Sequence, residues 1–194
     1  MSDAPQINTI FTEPLNSPFA GVVDADASVS VQEQKLEAQQ RSTAKGENAW
    51  MLVILKDPKA TDLSVEKLAV KEGVAIGYTG FNSFPFRPSL ADATTQVVVG
   101  DTGILIDYRF ARKGYAIESL SAVIEYGFVE LKCGLASLDT KAVNEPIRNL
   151  LRTMCIGEGT IRGQGSEQEV NYLFDRDIWE GAKKEMKLNG KWYL

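Results

Sequence analysis

One stretch limits what this chain can fold into more than any other. In residues 103–131 an apolar run, a basic turn and a long amphipathic segment follow one another without a gap. Residues 103–108 carry Ile104, Leu105 and Ile106 and read as a buried strand. Ala116, Leu120, Val123, Ile124, Phe128 and Leu131 then recur at the spacing of a helix that lays one face on a sheet. The turn between them holds Arg109, Arg112, Lys113 and Gly114. A glycine at such a turn lets backbone N–H groups converge at the helix start, where the dipole is positive, so the unit suits a phosphate. A solvated basic turn has the same composition, and the residues by themselves leave both readings open.

The remaining chain supplies more strands than helices. Residues 50–55 form an apolar run ended by Asp57 and Pro58, and residues 74–81 form a second, bounded by Gly73 and Asn82. Residues 96–99 and 103–108 read as one long strand broken at Gly100 and Asp101, since an interior glycine marks a bulge or a close approach. Residues 133–138 are a further strand, and residues 159–163 pair with 169–174 as a hairpin. Ser30 and Glu33 have capping-box spacing and place a helix from Val31 to Arg41; Asn144 caps one running to about Met154; Asp177 and Glu180 open a last one through Lys187. Residues 62–70 fit a helical turn or a strand extension equally well. Before residue 28 there is one short candidate strand, residues 7–11, and then Pro14 and Pro18. Residues 1–27 are therefore expected to be a poorly structured or atypical segment, and residues 28–194 one α/β domain with a mixed central sheet flanked by helices.

Composition removes whole classes of chemistry. There is no histidine among the 194 residues, so imidazole bases, Ser-His and Cys-His nucleophiles and His-ligated metals are excluded, and no metal is expected. Net charge is −5 and the Lys and Arg residues are scattered, which argues against nucleic acid as a partner. No apolar run approaches the ~18 residues of a membrane span, and residues 1–20 lack a signal pattern, so a cytoplasmic protein is expected. Cys133 and Cys155 sit in apolar company and read as buried hydrophobes. The oligomeric state is not fixed by any of this, and a homodimer is compatible with it.

The segments Gly103-Ile104-Leu105-Ile106-Asp107 and Arg112-Lys113-Gly114-Tyr115-Ala116-Ile117-Glu118 resemble the acetyl-CoA segment of the GNAT superfamily of N-acetyltransferases. The nearest branch is that of the ribosomal-protein N-terminal acetyltransferases. Asn144, the helix Leu150-Leu151-Arg152-Thr153-Met154-Cys155-Ile156, residues 169–174 and Trp179 continue the likeness, over residues 28–182. The resemblance implies a GNAT fold, acetyl-CoA as co-substrate, and direct attack by an amine of a small molecule or peptide. It places the pantetheine on the backbone of Ile104, Leu105 and Ile106, with Asn144 close to that arm. The pyrophosphate falls on Arg112, Lys113, Gly114, Tyr115 and Ala116, with Arg109 or Arg112 supplying charge. The family's leading Gln or Arg is Ala111 here, and Leu151 stands where many relatives carry the Tyr that protonates the departing thiolate. A GNAT-fold binding module, or a different reaction on a small metabolite, is therefore the alternative reading.

Acyl transfer to an alkylamine needs a proton acceptor, because such an amine titrates near ~10. Asp101 is the candidate base: it precedes the cofactor strand at a position where GNAT relatives often carry Glu, though turns carry ordinary Asp residues as well. Glu118 reads as a partner of the helix dipole. Asp107 and Asp139 read as strand-end carboxylates serving local backbone. Tyr108 and Tyr115 are candidate donors or packing residues, and Phe81, Phe84 and Phe86 either wall an acceptor pocket or cover the sheet.

Overall fold

In a computed structural model, residues 3–16, 28–56, 63–71 and 73–194 are described. Residues 17–27 and the expected turn at Asp57 and Pro58 lie outside them.

The chain opens with a helix, α1 (Ala4–Phe11), where a strand was expected over residues 7–11. Ala4, Ile7 and Ile10 recur every three residues and are all buried, a helical rather than an alternating pattern. Pro5 falls in the first turn, where its missing N–H leaves nothing unsatisfied. Ile10 packs with Leu68, Val74, Ala75 and Ile76, so at least this part of the N-terminal segment belongs to the core. Helix α2 (Val29–Ala44) begins two residues earlier than expected, because Ser28 rather than Ser30 caps it by accepting the Val31 N–H.

Strands β1 (Ala49–Leu55), β2 (Ala69–Val70), β3 (Gly73–Ser83), β4 (Phe86–Pro88) and β5 (Gln96–Ile106) form an antiparallel half-sheet. Of residues 62–70, ambiguous in sequence, the described ones form a 3-10 turn at Leu63–Leu68 followed by β2. Helix α3 (Tyr115–Val129) crosses over to β6 (Leu135–Lys141), and α4 (Glu145–Thr153), β7 (Thr160–Arg162), β8 (Glu169–Asp175) and α5 (Arg176–Leu188) complete the fold. The sheet order is β1-β3-β5-β6-β8-β7, with β2 on β3 and β4 on β5, and β5 with β6 is its one parallel pair among the described residues. Asp175 rather than Asp177 caps α5, accepting the Ile178 N–H.

Strand β5 runs unbroken through Gly100 and Asp101, contrary to expectation; the irregularity lies on β3, between Phe81 and Ser83. What approaches the β5 glycines is aromatic. A Cβ at Gly100 would lie 2.8 Å from the Phe81 ring, and one at Gly103 would lie 2.9 Å from the Trp50 ring. Phe81 is buried and Phe84 leans on it at 5.2 Å, so both cover the sheet, whereas Phe86 is 70% exposed. The larger core lies under α3, α4 and α5, where Leu120, Ile124, Phe128, Leu151, Phe174 and Trp179 meet.

Candidate functional site

The sheet comes apart at its parallel seam. Strands β5 and β6 pair only at Val99 with Leu135, Gly100 with Ala136 and Asp101 with Ser137. The Thr102 hydroxyl donates to the Ser137 carbonyl at 2.8 Å, and beyond it the two strands take no common partner. Thr102–Ile106 continues on β3 alone, and Leu138–Lys141 continues on β8 alone. One backbone edge of each strand therefore faces a wedge, and Ile104, Leu105 and Ile106 lie along its β5 side. Ile104 packs against the larger core, Leu105 and Ile106 against the smaller one.

The chain leaves β5 into the basic turn. Arg112 has φ +64° and Gly114, the N-cap of α3, has φ +90°, so left-handed positions two residues apart turn successive N–H groups toward one side. No side chain caps α3, which leaves its first-turn donors and the positive end of its dipole available to an anion. Arg112 and Lys113 are exposed beside it, with Lys113 Nζ 3.3 Å from the Arg109 carbonyl. Tyr115 and Ala116 are half-buried in the first turn. The left-handed turn and the uncapped helix start fit a pyrophosphate, and a Cβ at residue 114 would strain the backbone and meet the Tyr193 ring at 3.2 Å.

Arg109 does not join that cluster. Its Nε and Nη2 reach the two oxygens of Asp107 at 2.7 and 2.8 Å, and Asp107 is fully buried. Asn16 Nδ2 donates to the same carboxylate at 3.0 Å, and its Oδ1 accepts the Tyr108 N–H. Burial alone would raise the Asp107 pKa, but the hydrogen bonds from Arg109 and Asn16 outweigh it and hold the carboxyl below its ordinary range. Asp107 thus fixes the turn to the segment after α1, and the guanidinium expected at the phosphate neutralises an internal carboxylate instead.

Asp101 sits at the last paired residue of the seam. Its Oδ1 accepts from Ser137 at 3.3 Å, its Oδ2 from Ser83 at 3.5 Å, and Asn82 on the β3 irregularity also donates to it. Burial pushes its pKa up, and neighbouring Asp139 adds to that, against the lowering effect of these neutral donors. A carboxylate made more basic at the mouth of the wedge is a better proton acceptor than an ordinary one. Asp139 lies inside β6 rather than at a strand end; its Oδ1 accepts from Asn171, which in turn accepts from Arg162. Asn82, Ser83 and Ser137 were invisible as site residues in the sequence, since register alone brings them to Asp101.

Asn144 caps α4 as expected, accepting the Ile147 N–H and donating to Thr140 at 3.0 Å. Leu151 is buried in the larger core, so an aliphatic side chain fills that position. Burial pushes the Cys133 thiol up, in keeping with a structural residue. No group of three or more Cys, Asp or Glu side chains is placed to hold a metal among the described residues, and no described helix is long and apolar enough to cross a membrane.

Comparison with known proteins supplies what geometry does not. No curated protein sequence matches. Solved structures do: RimJ of Mycobacterium smegmatis in complex with CoA-disulfide is 11% identical, with a TM-score of 0.69 over 97% of this chain and 85% of that one. FdhC, a nucleotide-linked sugar GNAT, is 16% identical with a TM-score of 0.68 over 95% and 88%. The ribosomal-protein-S5-alanine acetyltransferase of Vibrio fischeri is 15% identical with a TM-score of 0.64 over 91% and 90%. Identities this low establish the shared fold. The model of the acetyltransferase (GNAT) domain matches residues 2–155, most of the chain and including the first helix, and by that match this protein belongs to the GNAT family of acetyltransferases.

Proposed function

We propose that the protein transfers an acetyl group from acetyl-CoA to an amine of a small molecule or peptide. The observation that carries this reading is the parting of β5 from β6 immediately after Asp101 and Ser137, with the uncapped start of α3 at the same end of β5. The open backbone edge at Ile104, Leu105 and Ile106 suits the amides of a pantetheine arm, and Thr140 with Asn144 lines up the facing strand and helix. The N–H groups from Arg112 to Ala116 suit the pyrophosphate, with Arg112 and Lys113 as its counter-charges.

Acetyl-CoA supplies the activated thioester, whose thiolate leaves readily at a pKa near ~8.5 without a dedicated acid. Asp101 removes the proton from the incoming ammonium, and its raised basicity favours that step. Ser83, Ser137 and Asn82 hold the carboxylate in place. The two acceptor readings, small molecule and peptide, share this chemistry. A GNAT-fold binding module remains a second reading, favoured by the aliphatic Leu151 and by the engagement of Arg109 with Asp107.

The test combines binding with turnover. Acetyl-CoA at a hundredfold its Kd should raise Tm by about 5–10 °C, following from ~2.7 kcal/mol of linkage in a chain of this size. Free thiol should then appear when an amine panel is added. No shift with millimolar acetyl-CoA would sink the reading; a shift without thiol release would favour the binding module.

A further inference from the structure

The end of the described chain lies across the proposed phosphate site. Helix α5 stops in a defined way: Gly190 has φ +64°, its N–H bonds to the Lys187 carbonyl, and the Lys191 N–H bonds to the Met186 carbonyl at 2.8 Å. This Schellman arrangement turns the chain sharply at the helix end. Trp192 then lies 6.0 Å from the Trp179 ring, with Lys183 Nζ and Lys187 Nζ 5.6 and 5.4 Å from its centroid. Lys183 is itself bound to Glu125 of α3, so the anchor is tied to two helices. From there Tyr193 reaches Gly114: a Cβ at Gly114 would lie 3.2 Å from Tyr193 Cζ and 3.3 Å from its hydroxyl. Leu194 lines a groove of about 220 Å³ together with Val53, Leu55, Ile76, Tyr115 and Glu118, among others.

The segment thus runs from α5, over the start of α3, to the end of β1. A phosphate oxygen accepting from the amides around Gly114 must approach within about 3 Å of them. The Tyr193 ring stands against the space that a side chain of residue 114 would fill, beside those amides, so a phosphate arriving there competes with the ring. Tyr193 and Leu194 are 46% and 53% exposed, whereas Trp192 packs against the larger core, so the segment is held less firmly over α3 than at its anchor.

We infer that residues 192–194 form a strap, anchored by Trp192, that competes with CoA for the start of α3 and must lift its Tyr193 and Leu194 to admit the cofactor. The inference rests on the CoA-binding reading above and concerns regulation of that same site. Lifting the strap draws on binding energy, so the wild-type affinity for CoA is lower than the site itself can supply.

The test is CoA binding by calorimetry to the wild-type chain and to the double variant Tyr193→Gly with Leu194→Gly, which keeps Trp192 and the helix end. The variant should bind CoA about fivefold or more tightly, the lower end of ordinary coupling between sites. In wild type, hydrogen exchange of residues 190–194 should quicken on saturation with CoA while that of residues 112–118 slows. Equal or weaker binding by the variant, or slowed exchange of residues 190–194, overturns the strap and leaves the CoA reading intact if wild type binds. Absence of CoA binding in both proteins overturns both. A variant that binds more tightly with an unchanged melting temperature counts for the strap, since the gain then comes from access rather than from refolding.

Discussion

The middle of β5 and the turn that follows it carry one carboxylate each, and they are driven in opposite directions. Asp107, at the turn, is fully buried yet held in its charged form; Asp101, at the seam, is only partly buried yet pushed toward its neutral form. Burial raises both. The difference lies in the partners: Asp107 faces a guanidinium at two points, whereas Asp101 faces two hydroxyls, an amide and the charge of Asp139. Depth therefore does not decide what a buried acid does. A charged partner makes it a fastener, and neutral partners leave it with a proton affinity that chemistry can use.

That contrast is broken most violently at Asp107. Asp107→Asn leaves the Arg109 guanidinium with its main partner gone, and loss of one member of a buried pair costs about 3–5 kcal/mol. Urea unfolding should show it, and a cost under 1 kcal/mol would mean the pair is not a fastener. The pH dependence has a definite sign. A depressed folded pKa gives stability that is present above the ordinary carboxylate range and lost as pH falls through the folded value. The variant should lack that part of the acid limb.

At Asp101 the effect moves from stability to rate. Asp101→Asn should lower turnover by about 10²-fold, some 2.7 kcal/mol of barrier, with CoA affinity nearly unchanged. The deficit should shrink at high pH, where the amine is already neutral. Here the linkage runs the other way. A raised folded pKa means the ionised form opposes folding above the unfolded value, so the neutral variant should melt at the same temperature as wild type or higher. A lowered melting temperature with a pH-independent loss would make Asp101 another fastener.

The smallest effect is expected beyond both, at the α3 start. Gly114→Val should weaken CoA binding by about tenfold, since a branched side chain at φ +90° strains the turn whose amides are proposed to hold the phosphate. Calorimetry on a folded variant decides it. Undiminished affinity would place the phosphate elsewhere.

Sequence pattern carried the parts of this molecule that repeat over many residues. The apolar spacing of α3 from Ala116 to Phe128 exceeds three turns, and only a helix satisfies it. Residues 7–11 were too few: Ile7, Ile10 and Phe11 fit a short strand until Ala4 joins them on one face. The cap of α2 slipped by two residues because Ser28 and Ser30 are equally good caps, and they hydrogen-bond each other. The strand-turn-helix unit and Asp101 were legible as residue types in order. The donors to Asp101 were not, because Ser83 and Ser137 stand 18 and 36 residues away and arrive only through strand register. Arg109 misled for a related reason: its partner is two residues off, and nothing in the sequence says that Asp107 will be sealed from water.

The seam between β5 and β6 has a consequence for how the chain reaches this state. Its three ladder positions join residues 36 apart in sequence, with α3 between them, whereas the antiparallel β3–β5 pair beside it joins residues 18 to 29 apart. Closing a loop of that length costs on the order of 3 kcal/mol in chain entropy. Three pairs of residues return little against that before the helix docks. The seam and α3 are therefore expected to assemble together, the crossover being one of the high-contact-order parts of the fold. The wedge beside Asp101 exists only once that assembly is complete.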